Sequence, residues 1–140
     1  MNNNYINKNS NLLWNKAKTV IPGGNGLLSK RPDRYAPGSW PSYFKECKGV
    51  TVTDIDNNKY IDMAQMGIGS SILGYAHDEL TESIIEASCN GVNCTLNSFE
   101  EVELAQTLID LNPFAGGVKF ARGGGEAMSI AIRIARAFSQ

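Results

Sequence analysis

The strongest constraint on the fold lies near the C-terminal end of the chain, where a glycine triplet separates two patterned segments. Residues 118–122 predict a short strand, and the run that follows the triplet predicts a helix. A strand, a glycine turn and a helix in this order leave backbone N–H groups free at the positive end of the helix dipole. The pattern predicts a phosphate-binding turn at Gly123, Gly124 and Gly125. Glycines in such a turn can also serve backbone conformation alone.

Two nucleotide-binding motifs do not fit this turn. The dinucleotide fingerprint requires a third glycine where Met128 stands, and no Gly-Lys-Ser/Thr sequence follows. A small nucleotide-binding module is therefore a poor alternative. The last helix is apolar over most of its circumference and needs cover on several sides, and one strand–helix unit needs further strands. The chain therefore resembles the opening of an α/β sheet that continues beyond it.

Composition sets the remaining bounds. A chain of 140 residues with 42% hydrophobic content is expected to form one modest core. The net charge of −1 favours neither nucleic acid nor an anionic membrane as a partner. Three cysteines without a Cys-x-x-Cys pair predict reduced thiols in a cytoplasmic protein, and a single histidine makes a metal site improbable. Residues 1–10 resemble neither a signal peptide nor a membrane anchor and predict a mobile tail.

The remaining elements are short. A helix is predicted over 12–20, with Ser10 or Asn11 as its cap, and an extended loop over 25–41, of a length that is often functional. An antiparallel meander follows, and its predicted strands are 43–48, 50–55 and 60–63.

Loop and cap signals complete the prediction. The glycine-rich loop 67–74 indicates that backbone comes close to a ligand or to a neighbouring chain. Asp78 is predicted to cap a helix over 79–88, and a capping box formed by Ser98 and Glu101 predicts a helix that ends near residue 111. Three acidic residues near the meander turns are expected to be solvated rather than to bind metal or act as acids and bases: Asp54, Asp56 and Asp62.

Several motifs, in this order and spacing, carry a resemblance to a known family. The chain resembles the N-terminal part of class III pyridoxal-phosphate aminotransferases, in the branch of glutamate-1-semialdehyde aminomutase and its sugar-pathway relatives. The resemblance covers residues 11–140. The matching motifs are Pro22-Gly23-Gly24, Gly49-Val50-x-Val52-x-Asp54-x-Asp56-x-x-x-Tyr60-x-Asp62, Leu73-Gly74-x-x-His77, Gly124-x-Glu126-Ala127 and Ala131-Ile132-Arg133-x-Ala135-Arg136.

The resemblance implies a fold-type I transferase that binds pyridoxal 5′-phosphate (PLP) and acts as a homodimer. Residues 11–77 would form the N-terminal segment of the small domain with an active-site loop, and 78–140 the truncated beginning of the large, doubly wound PLP-binding domain. The family's Ser-Gly-Thr-Glu-Ala turn, which holds the cofactor phosphate, corresponds to residues 123–127. Both hydroxyl residues are glycine here, and Arg122 could compensate with charge or point to solvent.

The resemblance also implies a substrate site. Lys30 and Arg31 lie where the aminomutase branch places an arginine for a substrate carboxylate, although a solvated surface pair is the alternative. His77 is expected to be structural rather than catalytic, and residues 67–71 to pass near the cofactor, near the partner's site, or to serve structure alone.

The Schiff-base lysine and the aspartate for the pyridine nitrogen fall beyond residue 140 in the family, so no catalytic residue is assigned. The resemblance implies amino-group transfer on a small amino or oxo compound, or a nucleotide-linked sugar, by an enzyme of which this piece alone is inactive. The alternative is a non-catalytic fragment that acts only in dimerisation or interaction.

Overall fold

A computed structural model describes residues 7–139, which divide into two compact units, one ending at Asn90 and one beginning at Gly91. Each unit is described by itself. The four longer helices are α1 (Lys8–Val20), α2 (Asp78–Cys89), α3 (Glu100–Leu111) and α4 (Gly124–Phe138), and the strands are β1 (Phe44–Lys48), β2 (Thr51–Asp54) and β3 (Lys59–Ile61). Short 3₁₀ turns span Leu28–Lys30 and Pro32–Arg34, and a brief helical turn spans Gln65–Ile68.

The three strands form the predicted antiparallel meander in the order β1-β2-β3. Val52 faces Cys47 on one side and Tyr60 on the other, which fixes the register of the central strand. The turn between β2 and β3 places Asn57 at φ 67°, a left-handed conformation that asparagine tolerates better than most residues. The α/β class and the meander are confirmed.

Helix α1 begins four residues before its predicted start. Asn7 is the N-cap residue, but its side chain makes no capping bond. The carboxylate of Asp56, from the β2–β3 turn, instead accepts the backbone N–H groups of Asn9 and Ser10, each at 2.9 Å. The predicted tail over 1–10 is therefore wrong for residues 8–10, which are helical; residues 1–6 lie outside the described part of the chain.

Of the three acidic residues of the meander, Asp54 is buried, and Asp56 and Asp62 are partly exposed. Asp54 is 1% exposed and accepts the N–H of Asn58 at 2.8 Å and the hydroxyl of Tyr60 at 3.0 Å. Asp62 accepts the hydroxyl of Tyr75 at 2.5 Å. The prediction of a solvated carboxylate was wrong for Asp54, because the β2–β3 turn and the Tyr60 hydroxyl place several donors around its oxygens.

The apolar core of the described residues is small. Trp14 and Ala17, at 9% and 7% exposure, are its buried hydrophobic members, so the expected modest core is largely missing from this part of the chain. Trp14 packs on Gly24, where an added Cβ would lie 2.4 Å from the indole and φ is +78° to +80° through Gly23 and Gly24. Glycine is required at residue 24 by both space and conformation.

The predicted strand over 118–122 does not form. Residues 117–121 carry no regular secondary structure, and the three paired strands of the described chain all lie between residues 44 and 61. A strand exists only through its hydrogen bonds to a neighbour, and none of the described segments offers one to these residues. Helix α4 is likewise exposed along most of its length, with Phe138 at 92%.

Two predicted caps are also wrong. Asp78 is the first residue of α2, preceded by His77, and its carboxylate pairs with the ammonium group of Lys48. Ser98 does not cap α3, because Phe99 takes the N-cap position and the Ser98 hydroxyl contacts the carboxylate of Glu100. In both places the side chain pairs with a charged group, Lys48 or Glu100, instead of the N–H groups of the helix start.

Two further findings concern the cysteines and the length of the helices. All three cysteines are free thiols, with Cys47 partly buried and the other two exposed. No helix within residues 7–139 is long and apolar enough to cross a bilayer.

Candidate functional site

The start of α4 forms a set of free hydrogen-bond donors. Gly123 is the N-cap residue in an extended conformation, with φ −164° and ψ 164°, and its carbonyl accepts the N–H of Ala127 at 3.0 Å. Within residues 7–139, no acceptor pairs with the backbone N–H groups of Gly123, Gly124 or Gly125. These donors lie where the helix dipole is positive, an arrangement that suits an anion. The prediction of a glycine turn that opens a helix is confirmed, with the helix beginning inside the triplet.

The glycine triplet is open to its surroundings. A Cβ built at Gly123, Gly124 or Gly125 meets nothing within 4 Å, and none of the three has a left-handed φ. Backbone conformation therefore does not require glycine at these positions.

Glu126 completes this turn through a hydrogen bond that its place in the Gly-x-Glu-Ala motif did not predict. Its carboxylate accepts the backbone N–H of Arg122 at 2.8 Å. In a capping box the third helical residue accepts the N–H of the N-cap residue, whereas Glu126 reaches one residue further back, to Arg122. The Gly-x-Glu spacing was the available signal. The guanidinium of Arg122 forms no ion pair within the described residues.

The predicted substrate loop is more ordered than its sequence indicates. The two 3₁₀ turns interrupt the expected extended segment, and Tyr35 secures them through a 2.6 Å hydrogen bond from its hydroxyl to the carbonyl of Ser29. The Tyr35 ring stacks on Trp40 with centroids 4.4 Å apart. This contact was not predictable from periodicity because it is made between irregular segments.

Arg31 already holds a carboxylate. Its Nε and Nη2 donate to the two carboxylate oxygens of Asp33 at 3.2 and 2.8 Å, a bidentate fork. The hydrogen bonds from Arg31 hold the pKa of Asp33 below its usual value. Lys30 ends the first 3₁₀ turn and is exposed. These residues belong to the first unit and the glycine triplet to the second.

The glycine-rich loop approaches the chain's own backbone. Gly49 and Tyr75 exchange two hydrogen bonds of 2.8 Å, and a Cβ at Gly74 would lie 3.2 Å from the Cα of Gly49. At Gly74 this loop thus lies against the β1–β2 turn of the same chain, while its approach to a ligand or to a neighbouring chain stays a prediction.

The loop and the start of α2 also line an open cleft of about 270 Å³ that includes His77. The buried His77 Nδ1 has no partner in the described residues. Across residues 7–139, no group of three or more His, Cys, Asp or Glu side chains is placed to hold a metal ion.

Comparison with known proteins defines first a class and then a family. The chain is similar to a solved PLP-bound transaminase, with a TM-score of 0.81 and 32% identity over 96% of this chain and 30% of that one. An ω-transaminase from Sphaerobacter thermophilus gives a TM-score of 0.75 at 30% identity, over 89% of this chain and 27% of its own. The expected fold, the N-terminal part of a fold-type I transferase, is confirmed.

The aminotransferase class-III family matches residues 35–140, and the chain belongs to it. Curated relatives include a glutamate-1-semialdehyde 2,1-aminomutase of Acetivibrio thermocellus, 34% identical over 94% of this chain and 30% of its own length. A 3-aminobutyryl-CoA aminotransferase of Cloacimonas acidaminovorans is also 34% identical, over 91% of this chain and 30% of its own. The chain thus spans about 30% of the length of these relatives.

Proposed function

We propose that this chain is the N-terminal part of a PLP-dependent aminotransferase or 2,1-aminomutase, and that Gly123, Gly124 and Gly125 bind the cofactor phosphate. The open glycine turn at the start of α4, with its unpaired N–H groups, is the observation that carries this proposal. Membership of the class-III family supports it.

The residues present fit a phosphate group. Three backbone donors and the helix dipole favour an anion without any side chain, so glycine in place of the family's hydroxyl residues weakens the site without removing it. Arg122 is placed next to the turn and supplies positive charge. When bound, PLP supplies an electron sink for chemistry at the substrate carbon. The contribution of these residues is to anchor the group.

For the substrate, we propose that Lys30 and Arg31 bind the carboxylate of a small amino or oxo compound. The bidentate bonds of Arg31 to the Asp33 carboxylate support this proposal, because a substrate carboxylate has the same two oxygens. A substrate carboxylate would have to displace Asp33. In a titration with glutarate, followed by the backbone amide NMR signals of the two 3₁₀ turns, Asp33→Asn should bind more tightly than wild type and Arg31→Gln should not respond. Equal affinities for wild type and Asp33→Asn would contradict the proposal.

We further propose a cytoplasmic homodimer whose Schiff-base lysine belongs to family segments that residues 1–140 do not span. On this proposal the 140-residue chain does not catalyse amino-group transfer. Borohydride trapping with PLP, followed by peptide mapping, should label surface lysines without preference. One dominant labelled lysine would contradict this. The alternative, a non-catalytic fragment for dimerisation or interaction, predicts no specific PLP binding at all.

The test of the phosphate site uses a matched pair of substitutions at Gly124, the first helical residue. Gly124→Pro removes one N–H donor at a position where proline is well tolerated, and the extended Gly123 before it suits a following proline. Gly124→Ala keeps the donor, and its Cβ meets nothing within 4 Å.

Inorganic phosphate and PLP are titrated into each full chain while the backbone amide signals of residues 123–126 are followed by NMR. Gly124→Pro should lose about tenfold or more in affinity, the value of one hydrogen bond to a charged group, and Gly124→Ala should bind like wild type. Equal binding by both variants would place the phosphate elsewhere.

A further inference from the structure

We propose that Glu126 is a positioning residue for the phosphate-binding turn, which it holds in shape while its charge limits the affinity for the anion. This inference rests on the proposed function, because it concerns the same turn. The two effects have opposite signs, so they can be separated by substitution.

The positioning effect follows from the hydrogen bonds around Gly123. The Glu126 carboxylate accepts the N–H of Arg122, the residue before the cap, at 2.8 Å. The N–H of Ala127 donates to the Gly123 carbonyl at 3.0 Å. One of these bonds therefore holds the residue before Gly123, and the other holds the Gly123 carbonyl itself.

Three consecutive glycines are the least ordered backbone a chain can use, because glycine loses more conformational freedom on folding than any other residue. The turn contains no side chain that could restrain it, since residues 123–125 are all glycine and their surroundings are open. Two side chains bond to the turn within the described residues: the Glu126 carboxylate accepts the N–H of Arg122, and the Ser129 hydroxyl donates to the carbonyl of Gly125 at 2.9 Å. Of the two, the bond of Glu126 restrains the segment before Gly123. Loss of the Glu126 bond would loosen the segment that leads into the free N–H groups.

The electrostatic effect acts in the other direction. A negative charge in the first turn of a helix stabilises that helix. The same charge repels an anion that binds to the N–H groups of that turn. Glutamine at this position keeps an acceptor for the Arg122 N–H, as in a capping box, but carries no charge. Alanine removes both the acceptor and the charge.

The experiment compares Glu126→Gln and Glu126→Ala in the full chain, with Glu103→Gln as control. Glu103 is an exposed residue of α3 in the same unit, so the control removes an equal charge without touching the turn. Hydrogen exchange at the Arg122 amide is measured without ligand, and inorganic phosphate and PLP are titrated against the amide signals of residues 123–125.

Glu126→Gln should keep the slow exchange at Arg122 and bind phosphate about two- to five-fold more tightly, the range expected for one charge near a helix end, with a smaller gain at high salt. Glu126→Ala should exchange faster at Arg122 and bind more weakly than Glu126→Gln, and Glu103→Gln should match wild type. If Glu126→Ala does not fold, the comparison of Glu126→Gln with wild type decides the electrostatic effect.

Two outcomes distinguish the possible failures. If wild type binds phosphate and neither Glu126→Gln nor Glu126→Ala differs from it, the role of Glu126 is refuted and the phosphate site stands. If the glycine amides of wild type respond to neither phosphate nor PLP, the proposed function fails and this inference fails with it.

Discussion

Substitution of Asp56 is the sharpest test of how the first unit is held together. The carboxylate of Asp56 accepts three hydrogen bonds from the start of α1: the N–H groups of Asn9 and Ser10, each at 2.9 Å, and the Asn9 side-chain amide at 2.8 Å. A residue distant in sequence thus does what a helix's own N-cap usually does. Asp56→Ala removes all three bonds at once.

The cost follows from the exposure of each donor. Ser10 is 0% exposed, so its N–H loses its partner without access to water, which costs about 1–3 kcal/mol. Asn9 is exposed, and water replaces its lost bonds at little cost. Loss of a negative charge at the helix start adds about 0.3–1 kcal/mol. We expect Asp56→Ala to lower the free energy of unfolding by about 2–3 kcal/mol, and Asp56→Asn, which keeps one acceptor oxygen, by about 1 kcal/mol.

The assay is urea unfolding of the full chain, followed by circular dichroism, with Asn9→Ala as the control that removes only the exposed side-chain bond. The control should lie within about 0.5 kcal/mol of wild type. In 1 M salt the loss for Asp56→Ala should shrink only by its charge component, since the buried Ser10 N–H remains unpaired. If Asp56→Ala and Asn9→Ala unfold at the same urea concentration, the carboxylate does not cap α1 and the reasoning is refuted.

Three further predictions follow from single contacts. Gly24→Ala should lower the free energy of unfolding by about 3 kcal/mol, measured by urea unfolding, because φ is +80° and the new Cβ would lie 2.4 Å from the Trp14 indole. Unchanged stability would contradict that packing. The hydrogen bond from Tyr75 to Asp62 raises the pKa of Tyr75 to about 12. This bond therefore contributes fully to stability below about pH 10, the ordinary tyrosine pKa, and its contribution is lost as pH rises toward 12. Ultraviolet titration should show Asp62→Asn shifting this tyrosine to lower pH, and an unshifted titration would refute the pairing. Gly125→Thr should bind PLP several-fold more tightly, by about 1 kcal/mol for one added hydroxyl donor, because neither a left-handed φ nor a close neighbour opposes the side chain; weaker binding in a folded variant would show that the glycine itself is needed.

Some features of the candidate site depend only on neighbouring residues, and others do not. The glycine turn at residues 123–125 and the helix after it were predictable, because free N–H groups at a helix start depend only on neighbouring residues. The bidentate pairing of Arg31 with Asp33 was not predicted, although the two lie two residues apart, because it depends on a 3₁₀ turn that carries no periodic pattern.

The sequence by itself determined the elements whose signals are local. The meander, the end of α3 and the start of α4 follow from apolar period, turn residues and glycine placement, which act over a few residues. The tertiary structure alone decided which groups meet over long separations. Asp56 caps α1 from 46 residues away in sequence. The helix therefore begins at Lys8 and not at the predicted residue 12. The same dependence explains the missing strand over 118–122, since a strand needs a partner that no local pattern can supply.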